Sequence, residues 1–195
     1  MIRDSKQLQI GKAGEYLVCA DLIMKGFIAF PSEQGLPYDV LLDNGDKLLK
    51  IQVKTTEKPR IIPQRSNPIP AYIFNVKRSG NKGKTRYNEN EIDLFALVCL
   101  DTMKIGYVKN LDMPETINIR VDELKGTYHD EKGIEDYIKA IELNSVIDNK
   151  SEIARTLNIG IATVHRYLSE GWKPFETKAR YFSDFIRNKE WFYEI

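Results

Sequence analysis

The most constraining stretch of this chain is YDVLLDNGDKLLKIQVKT, residues 38–55. Its Asn44-Gly45 pair is a hairpin signal, because both residue types accept the positive φ that a short turn demands. On either side stand two β-type runs, Tyr38–Leu42 and Lys47–Thr55. Strands that leave one turn run antiparallel, and the period of two decides which side chains share a face. On the returning strand Leu49, Ile51 and Val53 form one face, with Lys50, Gln52 and Lys54 on the other. Asp39 stands in the first strand beside Val40, Leu41 and Leu42, where a carboxylate needs a partner. Hairpin pairing is expected to bring it to Gln52 and Lys54.

The surroundings of the hairpin read as follows. Residues 7–25, QLQIGKAGEYLVCADLIMK, carry Leu8, Tyr16, Leu17, Ala20, Ile23 and Met24 at helical spacing, and Gly26 stops the helix. Phe27–Phe30 is a short strand and Glu33–Pro37 a turn. A Pro-rich loop at 59–70 precedes a strand at Ala71–Lys77, and Ser79–Asn90 is a polar, basic loop. Asp93–Cys99 and Lys104–Val108 make a second hairpin, with a last strand at Ile117–Val121. This pattern predicts an α+β fold, a mixed β-sheet flanked by helices, over residues 1–125. Residues 126–132 read as a linker. Helical spacing at Gly133–Asn149, Ser151–Leu157, Ile161–Leu168 and Thr177–Tyr193 predicts a small all-α domain over 133–195.

With 42% apolar residues the chain can bury a core, which excludes global disorder. No apolar run approaches the roughly 18 residues of a membrane-spanning helix. The opening MIRDSKQLQIGKAGE lacks the apolar centre of a secretory signal. Cys19 and Cys99 are far apart with no C-x-x-C, so neither a disulfide framework nor a Cys-based zinc site is expected, and an intracellular, cytoplasmic location fits.

A net charge of +1 argues against a nucleic-acid partner until it is divided along the chain. Residues 47–88 hold 11 basic and 1 acidic side chains, a local charge of +10; residues 89–136 hold 5 and 12, a local charge of −7. The basic stretch interleaves its cations with Tyr72, Phe74 and Tyr87, a composition suited to tracking a phosphate backbone. Lys58, Arg60, Lys77, Arg78, Lys82, Lys84 and Arg86 are its candidate DNA contacts, provided the acidic stretch folds away from them.

The chemistry converges on the hairpin. Asp39, Gln52 and Lys54 meet on one strand face, and Glu15, in the G-K-A-G-E run of the first helix, supplies a second carboxylate. Hard divalent cations take oxygen ligands, and one or two carboxylates with waters and substrate phosphate suffice. A neighbouring lysine stabilises charge developing on phosphate or on a water nucleophile. Pro37-Tyr38-Asp39, Gln52-Val53-Lys54 and the preceding Glu15 resemble the PD-(D/E)XK nuclease superfamily. Across residues 10–110 the segments IGKAGEYLVCADLIMKGF, YDVLL, IQVKTT, YNENEIDLFALVC and KIGYV resemble its group I intron homing endonuclease branch. The G-x-x-G-E helix is also similar to that of archaeal-type Holliday-junction resolvases.

The resemblance implies a restriction-endonuclease-like fold. It implies a Mg²⁺ cofactor, with Mn²⁺ as a substitute, held by Asp39, Glu15, Gln52 and the Val53 carbonyl. It implies hydrolysis of DNA phosphodiesters to 5′-phosphate and 3′-hydroxyl ends. Tyr87 and Asp93 also match positions of the branch, without an assigned role. One position departs from the usual motif: Gln52 stands where an acidic residue is usual, and its amide oxygen brings no charge to a metal.

Residues 151–168, SEIARTLNIGIATVHRYL, place Ala154, Leu157, Ile159, Val164 and Leu168 as an apolar lock between two short helices around Asn158. The stretch resembles a helix-turn-helix, with Gly160 where a capping Ser is usual. That likeness implies that Thr163, His165 and Arg166 face a DNA groove. The aromatic tail, Trp172 to Tyr193, is expected to pack on this module or to build a dimer interface.

The expected activity is site-specific cleavage of duplex DNA by a homodimer or higher homo-oligomer, since cutting both strands needs two sites. A structure-selective Holliday-junction resolvase acting on branched DNA is the close alternative. A catalytically degenerate DNA-binding regulator is the alternative of another class.

Overall fold

The structure, a computed structural model, describes residues 5–61, 69–80, 83–125, 128–172 and 180–195, with backbone alone at 78–80, 83–85 and 128–132. Helix α1, Lys6–Met24, starts at Ser5, whose hydroxyl accepts from Leu8 N–H, and ends at Gly26 with φ +86°. The strands are β1 Ile28–Pro31, β2 Val40–Asp43, β3 Leu48–Thr56, β4 Ala71–Asn75, β5 Arg78–Gly80, β6 Gly83–Thr85, β7 Leu94–Cys99, β8 Lys104–Lys109 and β9 Thr116–Arg120. Helices α2 Tyr128–Asn144, α3 Lys150–Thr156 and α4 Ile161–Tyr167 follow.

The main sheet has the order β1-β2-β3-β7-β8. Its β3–β7 pair is parallel and the rest antiparallel, so the sheet is mixed, as the sequence pattern predicts. The turn between β2 and β3 is tied by Asn44, whose Oδ1 accepts from Asp46 and Lys47 N–H while Gly45 takes φ +92°. The register that follows pairs Val40 with Ile51 and Leu42 with Leu49. Alternate residues then sort into two apolar layers. Leu49, Ile51, Val53, Leu94, Ala96 and Val98 meet Val18 and Leu22 of α1 on one face. Phe95, Leu97 and Cys99 meet Tyr72, Phe74, Ile117 and Ile119 of a small β4–β9 sheet on the other. All six residues of β7 are therefore buried, as a central strand covered on both faces must be.

Three segments differ from the sequence expectation, the first being residues 128–132 of the expected linker, which already belong to α2. The basic region expected as one loop at 79–90 contains the short β5–β6 hairpin. The tail expected as a helix on the helical module lies instead against the sheet domain. Residues 177–179 of the helix expected at Thr177–Tyr193 lie outside the described residues. From residue 180 the chain pairs with Arg120 through a parallel bridge at Tyr181 and then makes only two short 3-10 turns, at 182–185 and 190–193. Phe182 fills the β4–β9 layer, whereas Phe192 enters the α1 layer against Phe27 and Tyr107. A straight helix cannot deliver aromatic rings to opposite faces of one sheet, and extended backbone at Ile186 separates the two turns.

The start of the tail also touches the chain just before the helical module. Arg120 N–H donates to Arg180 O, Ser183 N–H to Asp122 Oδ1, and Tyr181 Oη to Leu124 O, while Lys125 pairs with Asp184 at 3.2 Å. Helices α2–α4 keep a separate apolar cluster of Ala140, Ile153, Ala154, Val164 and Tyr167, with Trp172 against it.

Candidate active site

The site forms where β2 begins, one step beyond the Val40–Ile51 pair. Main-chain bonds fix Asp39 on both sides: its N–H donates to Ile51 O at 2.9 Å and its carbonyl accepts from Ser32 N–H at 2.9 Å. Its carboxylate turns back to β3, where Oδ2 accepts from Val53 N–H at 2.8 Å and from the Gln52 side-chain amide. The same amide reaches the Val53 carbonyl at 3.4 Å. Gln52 is buried, so it depends on these bonds for its polar group. Asp39, Gln52, the Val53 carbonyl and Lys54 are thus brought together at the hairpin, as register alone predicts.

Glu15 arrives from the other side. Helix α1 packs so closely on β3 at this level that a Cβ on Gly14 would lie 1.9 Å from Thr55 Oγ1. Gly14 is therefore the position that lets the helix approach, and Glu15 follows it directly. The Glu15 side chain is 18% exposed and forms a 2.7 Å ion pair with Lys12. Its charge is felt at Asp39. Burial pushes the Asp39 carboxyl above the usual carboxylate range, the Val53 N–H works against that, and the Glu15 carboxylate adds to the rise. Such a carboxyl gains from a nearby cation.

Lys54, half-buried, has its ammonium pKa pushed down by desolvation against the opposing pull of Asp39. Its Nζ donates to Tyr87 Oη at 3.1 Å and lies 5.0 Å from that ring's centroid. Tyr87 also lines a surface pocket with Lys77, Arg86, Asn110 and Met113. Asp93 has a main-chain task, since its Oδ2 accepts from Lys50 N–H at 2.7 Å and ties β7 to β3.

The donors suit a hard divalent cation, being two carboxylates, one main-chain carbonyl and one side-chain amide. The Gln52 NH₂ donates to Asp39 Oδ2 and to Val53 O, oxygens of the kind that would hold a cation. Among the described residues no three acidic, His or Cys side chains gather as a metal site, and Gln52 is the uncharged member of the donor set.

The basic stretch is less free than its charge implies. Lys58 and Arg60 are exposed. Lys77 pairs with Glu115 at 2.7 Å and Arg86 with the same carboxylate at 3.6 Å, so the acidic stretch folds onto this part of the strip. Lys82 lies outside the described residues, as do the side chains of Arg78 and Lys84. In the helical module α3 and α4 meet at Asn158, which takes φ +52°, and Gly160 caps α4 without a side-chain bond. Val164 and Tyr167 are buried, Thr163 is half-buried, and His165 and Arg166 are exposed. The Arg166 guanidinium lies over Tyr167 and Trp172, 5.7 and 5.5 Å from their ring centroids.

Comparison with known proteins identifies the family. The profile of a PD-(D/E)XK endonuclease family matches residues 5–137. The chain belongs to this family. This PD-(D/E)XK protein is therefore placed among nucleases that act on DNA and generally use divalent metal ions. Among solved structures, a bacterial homing endonuclease superposes with a TM-score of 0.47 at 14% identity, covering 64% of this chain and 84% of its own. No curated protein matches the sequence. Among the described residues no helix is long and apolar enough to cross a membrane.

Sequence reasoning did not assign two groups at the site. Lys12 lies three residues before Glu15, one helical turn, and that spacing was the available signal. Tyr87 is 33 positions from Lys54, and no local pattern marks their contact.

Proposed function

We propose that this PD-(D/E)XK protein is an active, Mg²⁺-dependent endodeoxyribonuclease that cuts duplex DNA site-specifically, with Mn²⁺ as a substitute. The observation that carries this reading is the convergence of Asp39, Gln52, the Val53 carbonyl and Lys54 at one end of β2–β3, with Glu15 delivered beside them by α1. Asp39, Glu15, the Val53 carbonyl and, after its amide turns over, Gln52 Oε1 would hold the cation. A bound divalent cation polarises the scissile phosphate and makes water a better nucleophile.

The chain's own groups do the rest. Lys54 supplies positive charge to the phosphate oxygens and orients the attacking water. The bonds from Ile51, Ser32 and Val53 hold Asp39 so that its geometry is set before substrate arrives. Lys58, Arg60, Arg78, Lys82, Lys84 and the Glu115-paired Lys77 and Arg86 supply phosphate affinity. Thr163, His165 and Arg166 supply sequence readout from the helical module of residues 133–168, used as a helix-turn-helix. Two copies, as a homodimer, place one site on each strand.

The test is cleavage of a panel of plasmid, linear duplex and four-way-junction DNA with Mg²⁺ or Mn²⁺. Asp39→Ala and Lys54→Ala should abolish cutting and leave DNA binding intact. Cutting confined to junctions would replace site-specific cleavage with junction resolution. Tight binding without cutting in either metal would make the chain a binding-only regulator.

A further inference from the structure

Lys54 has one hydrogen-bond partner among the described residues, the Tyr87 hydroxyl at 3.1 Å. That partner is rigidly founded. The Tyr87 ring stands edge-on to Phe95 at 5.6 Å and 82°, and Phe95 is buried in β7 directly opposite Gln52 in the parallel register. The anchor thus rests on the strand beside the one that carries Lys54. A second force acts on the same ammonium, since Asp39 attracts it across the site. The Asp39 Oδ2 atom already accepts two hydrogen bonds, whereas Oδ1 has none among the described residues. Asp39 is the opposite charge that acts on the Lys54 ammonium, and a lysine on a four-carbon stem, released from its tyrosine, can swing toward this open carboxylate oxygen.

We propose that Tyr87 is a positioning residue that holds the Lys54 ammonium away from Asp39 and so keeps the carboxylate open to a divalent cation. This rests on the nuclease reading for its benefit to catalysis, but the effect on metal binding stands without it. Tyr87→Phe keeps the ring, its contact with Phe95 and the face offered to Lys54, and removes only the hydroxyl. Lys54 then turns to Asp39 and competes with metal.

The experiment is direct titration of the DNA-free protein with Mn²⁺, followed by electron paramagnetic resonance, for the wild type, Tyr87→Phe, Lys54→Met and the double variant. Tyr87→Phe should weaken Mn²⁺ binding about tenfold, the lower end of the range seen for outer-shell residues that orient metal ligands. The loss should vanish in the Lys54→Met background, because no ammonium remains to compete. Thermal melting should be unchanged, which separates positioning from packing. Single-turnover cleavage should fall at least about tenfold at fixed Mg²⁺ with DNA affinity retained.

Equal Mn²⁺ affinity in the wild type and Tyr87→Phe overturns the proposal, and so does an equal loss in both lysine backgrounds. A wild type that binds Mn²⁺ but never cuts DNA would overturn the nuclease reading and leave the positioning result standing.

Discussion

The β2–β3 site and the α3–α4 module are both assembled from neighbouring stretches of sequence, yet they are held in opposite ways. At the site the central carboxylate is fixed by main chain: Asp39 is tied to Ser32, Ile51 and Val53, and Gln52 is buried against it. On α4 only Val164 and Tyr167 are buried, and His165 and Arg166 stand in solvent. The difference separates two kinds of requirement. A reaction centre tolerates little displacement and is built into sheet register. A surface of the kind proposed for α4, meant to read DNA, needs exposed side chains whose support lies underneath.

Perturbing the helix that serves the site should give the largest effect. Gly14→Ala puts a methyl group into Thr55 and must push α1 off β3. Overpacking of this kind costs about 1–3 kcal/mol, and Glu15 moves with the helix. Thermal melting should drop and cleavage should fall further than the melting loss explains. A fully active, unshifted Gly14→Ala would show that Thr55 yields and that α1 keeps its place on β3; full activity in spite of a lowered melting temperature would show that the position of Glu15 is not critical.

Gln52→Glu comes next, because it sharpens the role of main-chain fixing. It replaces a donor to Asp39 by a second carboxylate, so the metal-free protein should lose about 1–3 kcal/mol, as for a broken buried hydrogen bond. Mn²⁺ should bind more tightly and restore the melting temperature. Failure of metal to restore it would place the cation elsewhere.

Substitutions on the exposed surface should be milder and confined to DNA binding. Arg166→Ala is expected to reduce affinity by about 1–3 kcal/mol for one sequence if it reads a base, and evenly for all sequences if it meets phosphate. Competition binding with duplexes of varied sequence distinguishes these, and an unchanged affinity would remove α4 from the interface. The smallest effect belongs to Glu115→Gln. Freeing Lys77 and Arg86 should tighten binding and steepen the log–log salt dependence by about 0.9 for one further phosphate neutralised. An unchanged slope would mean that these two cations do not face DNA.

The same contrast explains what was legible in the sequence. The turn at Asn44-Gly45 and the alternation through Val53 determine which side chains share a face, so Asp39, Gln52 and Lys54 could be grouped without coordinates. The small residue at Gly14 marked a close helix approach only after Thr55 was seen against it. Contacts that join remote segments carry no local period, which is why Tyr87 at Lys54 and Glu115 between Lys77 and Arg86 were not foreseen. The tail misled for a related reason. Its aromatic spacing fits a helix, but Phe182 and Phe192 belong to layers on opposite faces of the sheet, and that demand overrides local propensity.

The contacts of Arg120, Asp122, Leu124 and Lys125 with residues 180–184 have a topological consequence. The chain leaves the sheet domain and returns to it at one spot, so helices α2–α4 are a guest inserted in a host rather than an appendage at its end. A host whose last strand and closing segment already touch can be rejoined by a short linker, and both of its apolar layers stay complete without the guest. A single nick in the guest, by contrast, would release neither half, because each remains sewn to the host by its own terminus. The helical module can therefore be removed or exchanged as one part while the seam in the sheet domain stays where it is.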